Sequence, residues 1–167
     1  MQDQLIFLDT EATGNEPSKD RLCQVCYKTK GEIKVGYFKP PVPISVKAMS
    51  ITHITNKMVA DKEAFVDSQM KKDLQTLLND GVLVAHNALF DIAMLKAEGV
   101  EVPRFIDTLR VARHLDPENK IPEYNLQFLR YYLELEIEGA AHDAECDVKT
   151  LAGIFDRQLS KIKETIP

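Results

Sequence analysis

The chain has 167 residues, 44% hydrophobic and 28% charged, which is enough apolar side chain for one core of ordinary size and too much for a disordered segment. No apolar run nears the roughly 20 residues that span a bilayer, and Asp3 puts an acid where a secretory leader carries bases, so no membrane partner is expected and the cytoplasm is the expected location. The net charge of −5 argues against broad gripping of a duplex, which uses a basic face, but not against chemistry at a chain end, where bound cations could supply the attraction.

In chain order, Leu5-Ile6-Phe7-Leu8 is a continuous apolar run that predicts a central strand buried on both faces and ending at Asp9. Thr13-Gly14-Asn15 supplies a turn. Residues 21–29 and 33–38 read as two strands of a hairpin around Lys30-Gly31, stopped by Pro40-Pro41-Val42-Pro43. Short helical turns are expected within 46–62. Met70, Leu74, Leu77 and Leu78 have helical spacing and predict a helix over 67–78, ended by Gly81. A second buried strand follows at 82–85, then a helix over 88–98 closed by Gly99. A short strand at 105–107 leads into helices over 108–115, 124–135 and 144–162. Three strands, then helix–strand alternation, then helices suggest an α/β domain with one mixed five-stranded sheet, a hairpin on one side and parallel strands on the other. No linker, repeat or low-complexity tract divides the chain, so a single domain over 1–167 is expected.

Cys23 and Cys26 have C-x-x-C spacing, but three apart on a strand they point to opposite faces, and no second pair completes a zinc site. With Cys146 they read as small core or surface residues in a reducing compartment.

Asp9 and Glu11 lie two apart, so an extended chain points both carboxylates to one face. Acids leaving an apolar strand are costly unless a cation compensates them, and a hard divalent ion such as Mg²⁺ favours oxygen ligands. A solvated strand-to-loop junction is the competing explanation. A second pattern weighs against it. Ala85-His86-Asn87-Ala88-Leu89-Phe90-Asp91 and Ala141-His142-Asp143-Ala144-Glu145-Cys146-Asp147 share Ala-His-[Asn/Asp]-Ala-x-x-Asp. In each, Asn or Asp is a natural helix N-cap, the His precedes it, and the later Asp falls at the fourth helical position, where the two would touch. Either His could simply pack against its helix start. Two copies, together with Asp9 and Glu11, favour a shared acidic site. Four carboxylates and a histidine suit phosphoryl chemistry with two metals, the histidine as general base. Spacing leaves open which of His86 and His142 that is.

Phe7-Leu8-Asp9-Thr10-Glu11-Ala12-Thr13-Gly14, His86-Asn87-Ala88-Leu89-Phe90-Asp91, and His142 followed five residues later by Asp147 resemble, in order, the three motifs of the DEDDh, DnaQ-like exonucleases. Residues 44–62 most resemble the exodeoxyribonuclease X branch, and residues 106–113 match the strand-to-helix step after the second motif. The resemblance implies a ribonuclease H-like fold and a 3′→5′ exonuclease that releases nucleoside 5′-monophosphates with two Mg²⁺ or Mn²⁺ ions. It implies that Asp9, Glu11 and Asp147 bind the metals directly, Asp9 bridging both, that Asp91 helps hold the second, and that His142 is the base, leaving His86 structural. The backbone around Ala12 and Thr13 would lie against the terminal nucleotide, and His53 either covers that nucleotide or packs into the core. Gln24 stands where many relatives have Glu, Ala12 replaces a commoner Thr, and Asp143 adds an acid beside His142. The implied partner is a single-stranded 3′ end, with DNA favoured over RNA. A polymerase or repair partner and a homodimer stay open, as do an RNA-trimming exoribonuclease and a non-catalytic binding subunit. Gln158-Leu159-Ser160-Lys161-Ile162 resembles a sliding-clamp peptide without its aromatic residue and reads as helix surface.

Overall fold

The apolar run at 5–8 does open a strand, but the strand continues through both acids: β1 spans Leu5–Ala12. In the computed structural model, which describes residues 4–139 and 144–165, the extension follows from pairing. β2 (Leu22–Lys28) runs antiparallel to β1 and pairs Asp9 with Cys26 and Glu11 with Gln24, so hydrogen bonding holds the acidic residues extended. β3 (Ile33–Tyr37) completes the expected hairpin. On the other side β1 pairs in parallel with β4 (Val82–Ala85), and β4 with β5 (Phe105–Asp107), giving the mixed five-stranded order β3-β2-β1-β4-β5.

Helices cover both faces. α1 (Val46–Thr52) and α2 (Asn56–Val59) are the short turns expected after the proline stretch, followed by a 3₁₀ turn at Phe65–Asp67. α3 (Gln69–Asp80) starts two residues later than its periodicity suggests, because Ser68 accepts from the Lys71 N–H and fixes the start. α4 (Ala88–Ala97) ends before Gly99, whose φ of +75° reverses the chain. α5 (Thr108–His114), α6 (Leu126–Tyr132) and α7 (Ala144–Thr165) follow. α6 is shorter than the expected 124–135: Asn125 caps its start by accepting from the Phe128 N–H, and Glu134 takes φ +52° beyond its end.

Alternation along β1 divides the core. Ile6, Leu8 and Ala12 pack with Val25 and Tyr27 against Leu74 and Leu78 of α3 and Met94 and Leu95 of α4. Phe7 faces the other way with Val84, against Leu151 and Ala152 of α7. Each fully buried leucine, isoleucine, valine or methionine among these contributes about 1.5–3 kcal/mol of transfer free energy. Gly81 lets α3 turn tightly into β4, since a Cβ there would stand 2.3 Å from Ile6 Cδ1 and 2.9 Å from the Gln4 carbonyl oxygen. The cysteines are buried and form no disulfide among the described residues, Cys23 packing with Ile44 and Ile54, and Cys26 with Ala144 and Val148. Gln158 departs from its expected place on the helix surface: it is buried and donates to the Thr108 carbonyl at 2.8 Å, fastening α7 to α5. Among the described residues, no helix is long and apolar enough to cross a membrane.

Candidate active site

Asp9 and Glu11 share the α7 face of β1, the face on which Cys26, opposite Asp9, meets Ala144 and Val148 at the start of α7. Along β1, β4 pairs with Leu5, Ile6 and Phe7, and among the described residues no strand pairs with that side of β1 beyond Phe7. α4 begins three residues after β4 ends, which brings Asp91, its fourth residue, beside the open stretch. There Thr10, pointing to the opposite face from Asp9, donates from Oγ1 to Asp91 Oδ1 at 2.7 Å. Asp147 is the fourth residue of α7, and Gln127 on α6 donates from Nε2 to its Oδ1 at 2.6 Å. A register shift between Glu11 and Ala12 ends the regular pairing just past the acids.

The four acids act on one another. Burial, then the charges of Asp91, Glu11 and Asp147, push the Asp9 carboxyl well above its usual range. Burial and the Asp147 charge raise Glu11 to about 7. Burial also raises Asp91 to about 7 against the opposing bond from Thr10. Asp9 Oδ2 is buried and has no hydrogen-bond partner among the described residues. Oxygen donors that repel one another, one of them orphaned, fit a hard divalent cation, whose charge would favour the ionised form of each acid. The fit lies in donor chemistry and charge. Among the described residues, no three His, Cys, Asp or Glu side chains already form a ready-made metal shell.

The structure brings Asp9, Glu11, Asp91 and Asp147 together, while His142 and Asp143 lie outside the described residues. Ala12 and Thr13 are buried, and Thr13 is fully engaged internally: its N–H donates to the Arg21 carbonyl, its hydroxyl to Asp20, and its carbonyl accepts from Ser45. That turn presents side chains already engaged within the protein. His53 is exposed with φ +57° at the end of α1, and Ile54 takes the core position instead. Gln24 is buried opposite Glu11.

The second helix start departs from its expected geometry. Asn87 makes no side-chain cap; it takes φ +65°, and its N–H donates to Asp107 Oδ1 at 3.0 Å. The turn carries His86 to Thr108 Oγ1 (2.8 Å from Nδ1) and to the Tyr124 carbonyl (2.6 Å from Nε2), where it was expected against Asp91. A carbonyl only accepts, so Nε2 carries the proton. Burial lowers the His86 pKa, keeping the ring neutral and Nδ1 free to accept from Thr108. With both nitrogens occupied, His86 braces β4 against α5 and the approach to α6. Thr10 and Gln127 were not singled out from sequence. Thr10 faces away from its neighbouring acids, and Gln127 lies 20 residues before the Asp147 that it contacts, so neither leaves a local signal.

A five-stranded mixed sheet of this order, with acids from its central strand and from two helix starts, defines a ribonuclease H-like nuclease domain. A family model described as RNase_T, exonuclease, matches residues 6–155. The DNA polymerase III subunit epsilon of Treponema pallidum is 31% identical over 163 residues, covering 91% of this chain and 74% of that protein. The PolC-type DNA polymerase III of Caldanaerobacter subterraneus subsp. tengcongensis is 30% identical over 174 residues, 98% of this chain but only 12% of that longer protein. Among solved structures, exonuclease X in complex with 5′-overhanging duplex DNA superposes with a TM-score of 0.70 at 27% identity, covering 93% of this chain and 92% of that one. Exonuclease I of E. coli with single-stranded DNA shares the fold, with a TM-score of 0.75 at 22% identity over 98% of this chain and 41% of that one. The chain belongs to the RNase_T exonuclease family, in its DEDDh, DnaQ-like group. Exonucleases of this kind depend on divalent metal ions.

Proposed function

We propose that residues 1–167 act as one nuclease domain that shortens DNA from its 3′ end, one nucleoside 5′-monophosphate at a time. The observation that carries this is the cluster of Asp9, Glu11, Asp91 and Asp147, in which burial and neighbouring acids raise the first three and Asp9 Oδ2 is left without a partner among the described residues. Two divalent cations, Mg²⁺ or Mn²⁺, held by these four residues would supply the charge that readies a water and offsets the leaving oxygen.

The side chains do the rest. His142 accepts the proton of the water that attacks phosphorus, a role suited to an imidazole titrating near neutrality. The bond from phosphorus to the departing 3′-oxygen breaks, and that oxygen is protonated from solvent. Thr10 and Gln127 fix the carboxylates of Asp91 and Asp147, so neither has to be ordered when substrate arrives. The buried turn at Ala12 and Thr13 forms a wall for the terminal nucleotide, and exposed His53 stands on the segment that would cover it. DNA is favoured as substrate because exonuclease X is bound to duplex DNA and the polymerase III relatives are DNA-synthesising proteins; the latter also favour a polymerase partner.

The test uses 5′-labelled single-stranded DNA and matching RNA, with Mg²⁺ and with a chelator. The expected result is a ladder shortening from the 3′ end, dependent on the metal and faster on DNA. Faster trimming of RNA would make the protein an exoribonuclease, and no cleavage with either Mg²⁺ or Mn²⁺ would overturn the enzymatic reading.

A further inference from the structure

Gln127 has two neighbours. One is Asp147; the other is an open groove of about 400 Å³ that Gln127 lines with Glu123, Asn125, Phe128, Tyr131 and Tyr132. The groove therefore adjoins the acidic site, with the Gln127 side chain between them. Its surface is aromatic and held in place. Phe128 and Tyr132, one helical turn apart on α6, stack with ring centroids 6.0 Å apart and 23° between planes. Tyr131 is 73% exposed, and the buried Arg130 guanidinium lies 5.4 Å from its ring centroid. Arg130 is itself anchored by the Gly139 and Ile137 carbonyls and by Cys146 Sγ. So exposed a tyrosine contributes little to folding.

The amide nitrogens of the groove are already engaged, and Gln127 Oε1 is buried without a partner among the described residues. Asn125 accepts from the Phe128 N–H and donates to Glu123, and Gln127 donates to Asp147. Among the described residues, Glu123 is the one charged lining residue, and it would repel a phosphate. What the groove offers is ring faces, and the part of a nucleic acid that fits them is the base. Resting on the nuclease reading above, we propose that the α6 aromatic surface, with Tyr131 foremost, is a stacking platform for bases of the single strand whose 3′ end occupies the acidic site. Stacking is indifferent to sequence because every base has a flat face, so the platform would hold a strand while its end is shortened. The backbone runs along the outer side, away from Glu123.

The test compares two ligands by fluorescence anisotropy in Mg²⁺. One is an oligothymidylate whose 3′-terminal linkages are phosphorothioates; the other is the same backbone with abasic tetrahydrofuran sites in place of the bases. Tyr131→Ala is expected to weaken the base-bearing oligonucleotide roughly tenfold, a typical loss for one stacked base, without changing affinity for the abasic one. Tyr131→Phe is expected to restore wild-type affinity. Equal affinity in wild type and Tyr131→Ala, or an equal loss for both ligands, overturns the proposal and leaves α6 as a surface for a protein partner. Hydrolysis of the p-nitrophenyl ester of thymidine 5′-monophosphate by the wild-type protein, a substrate with no strand to lay on the platform, tests the nuclease reading separately. Failure there with base-dependent binding intact would sink the catalytic reading and not the platform.

Discussion

Asp116 and Asp9 are both carboxylates drawn in from solvent, and the fold treats them in opposite ways. Asp116 accepts from the Lys120 and Ile121 N–H groups at 3.0 and 2.7 Å and from the Tyr124 hydroxyl at 2.8 Å, and these bonds hold its pKa below the ordinary range. Glu98 is likewise satisfied by a two-pronged pair with Arg21, both contacts at 2.7 Å, which ties the end of α4 to the start of β2. Asp107 accepts from the Asn87 and Leu109 N–H groups. Asp9 and Glu11 receive much less, one oxygen of Asp9 having no partner among the described residues, and Asp91 is raised by burial in spite of its bond from Thr10. A chain able to satisfy Asp116 so fully has no physical difficulty in satisfying acids. Burial alone therefore does not mark a functional carboxylate; burial left uncompensated does.

That contrast can be broken most decisively at the metal ligands. Asp9→Ala or Asp147→Ala is expected to reduce hydrolysis of labelled DNA by more than about 10³-fold, since a group that holds the charge-stabilising ion is lost. Circular dichroism should show the fold intact, because a like-charge cluster has been relieved. Activity at the wild-type level in either variant would remove both residues from the site.

Next in size is the base. His142→Ala should lower the turnover rate by roughly 10²–10⁴-fold. His86→Ala should act mainly on stability, read as a lower melting temperature, because it leaves Thr108 and the Tyr124 carbonyl without their partner. A rate loss of that size for His86→Ala alone, with stability unchanged, would reverse the two roles.

On the satisfied side, Glu98→Ala is expected to cost about 2 kcal/mol in chemical denaturation, since it strands a partly exposed Arg21 and removes the tie between α4 and β2. Metal-dependent activity measured well below the melting point should survive. A fall in activity matched to no fall in stability would show that Glu98 belongs with the site acids.

The smallest effect is also the most diagnostic. Glu11 and Asp91 titrate in the folded state near 7, above their ordinary values, so the folded protein binds more protons than the unfolded chain between about pH 4 and 7. Their contribution to stability is therefore fully present at low pH and lost as pH rises through about 7. Asp116, with its lowered pKa, contributes in the opposite sense, losing its share as pH falls. Without metal, the melting temperature should fall as the pH rises from 5 to 8. Asp9→Asn should flatten that slope, and added Mg²⁺ should raise the melting temperature more at pH 8 than at pH 5. A slope untouched by Asp9→Asn would show that the acids do not act as one cluster.

The sequence by itself determined the main lines of this protein because the deciding signals are local. Apolar runs at 5–8 and 82–85 specify buried strands whatever surrounds them. The two-residue spacing of Asp9 and Glu11 puts both on one face once the chain is extended, and the place of Asp91 and Asp147 in the first turn of their helices follows from the helix starts. The tertiary structure decided what depends on distant partners. Pairing with β2 carried β1 past Asp9, and the short reach of β4 left the gap that Asp91 fills. Asp107, 20 residues away, claimed the Asn87 N–H, and that turn sent His86 to Thr108 and Tyr124. Gln127 met Asp147, and Thr10 reached Asp91 from the opposite face of its strand. Periodicity fixes which way a side chain points, but which hydrogen-bonding group it meets depends on chain segments brought close only by packing.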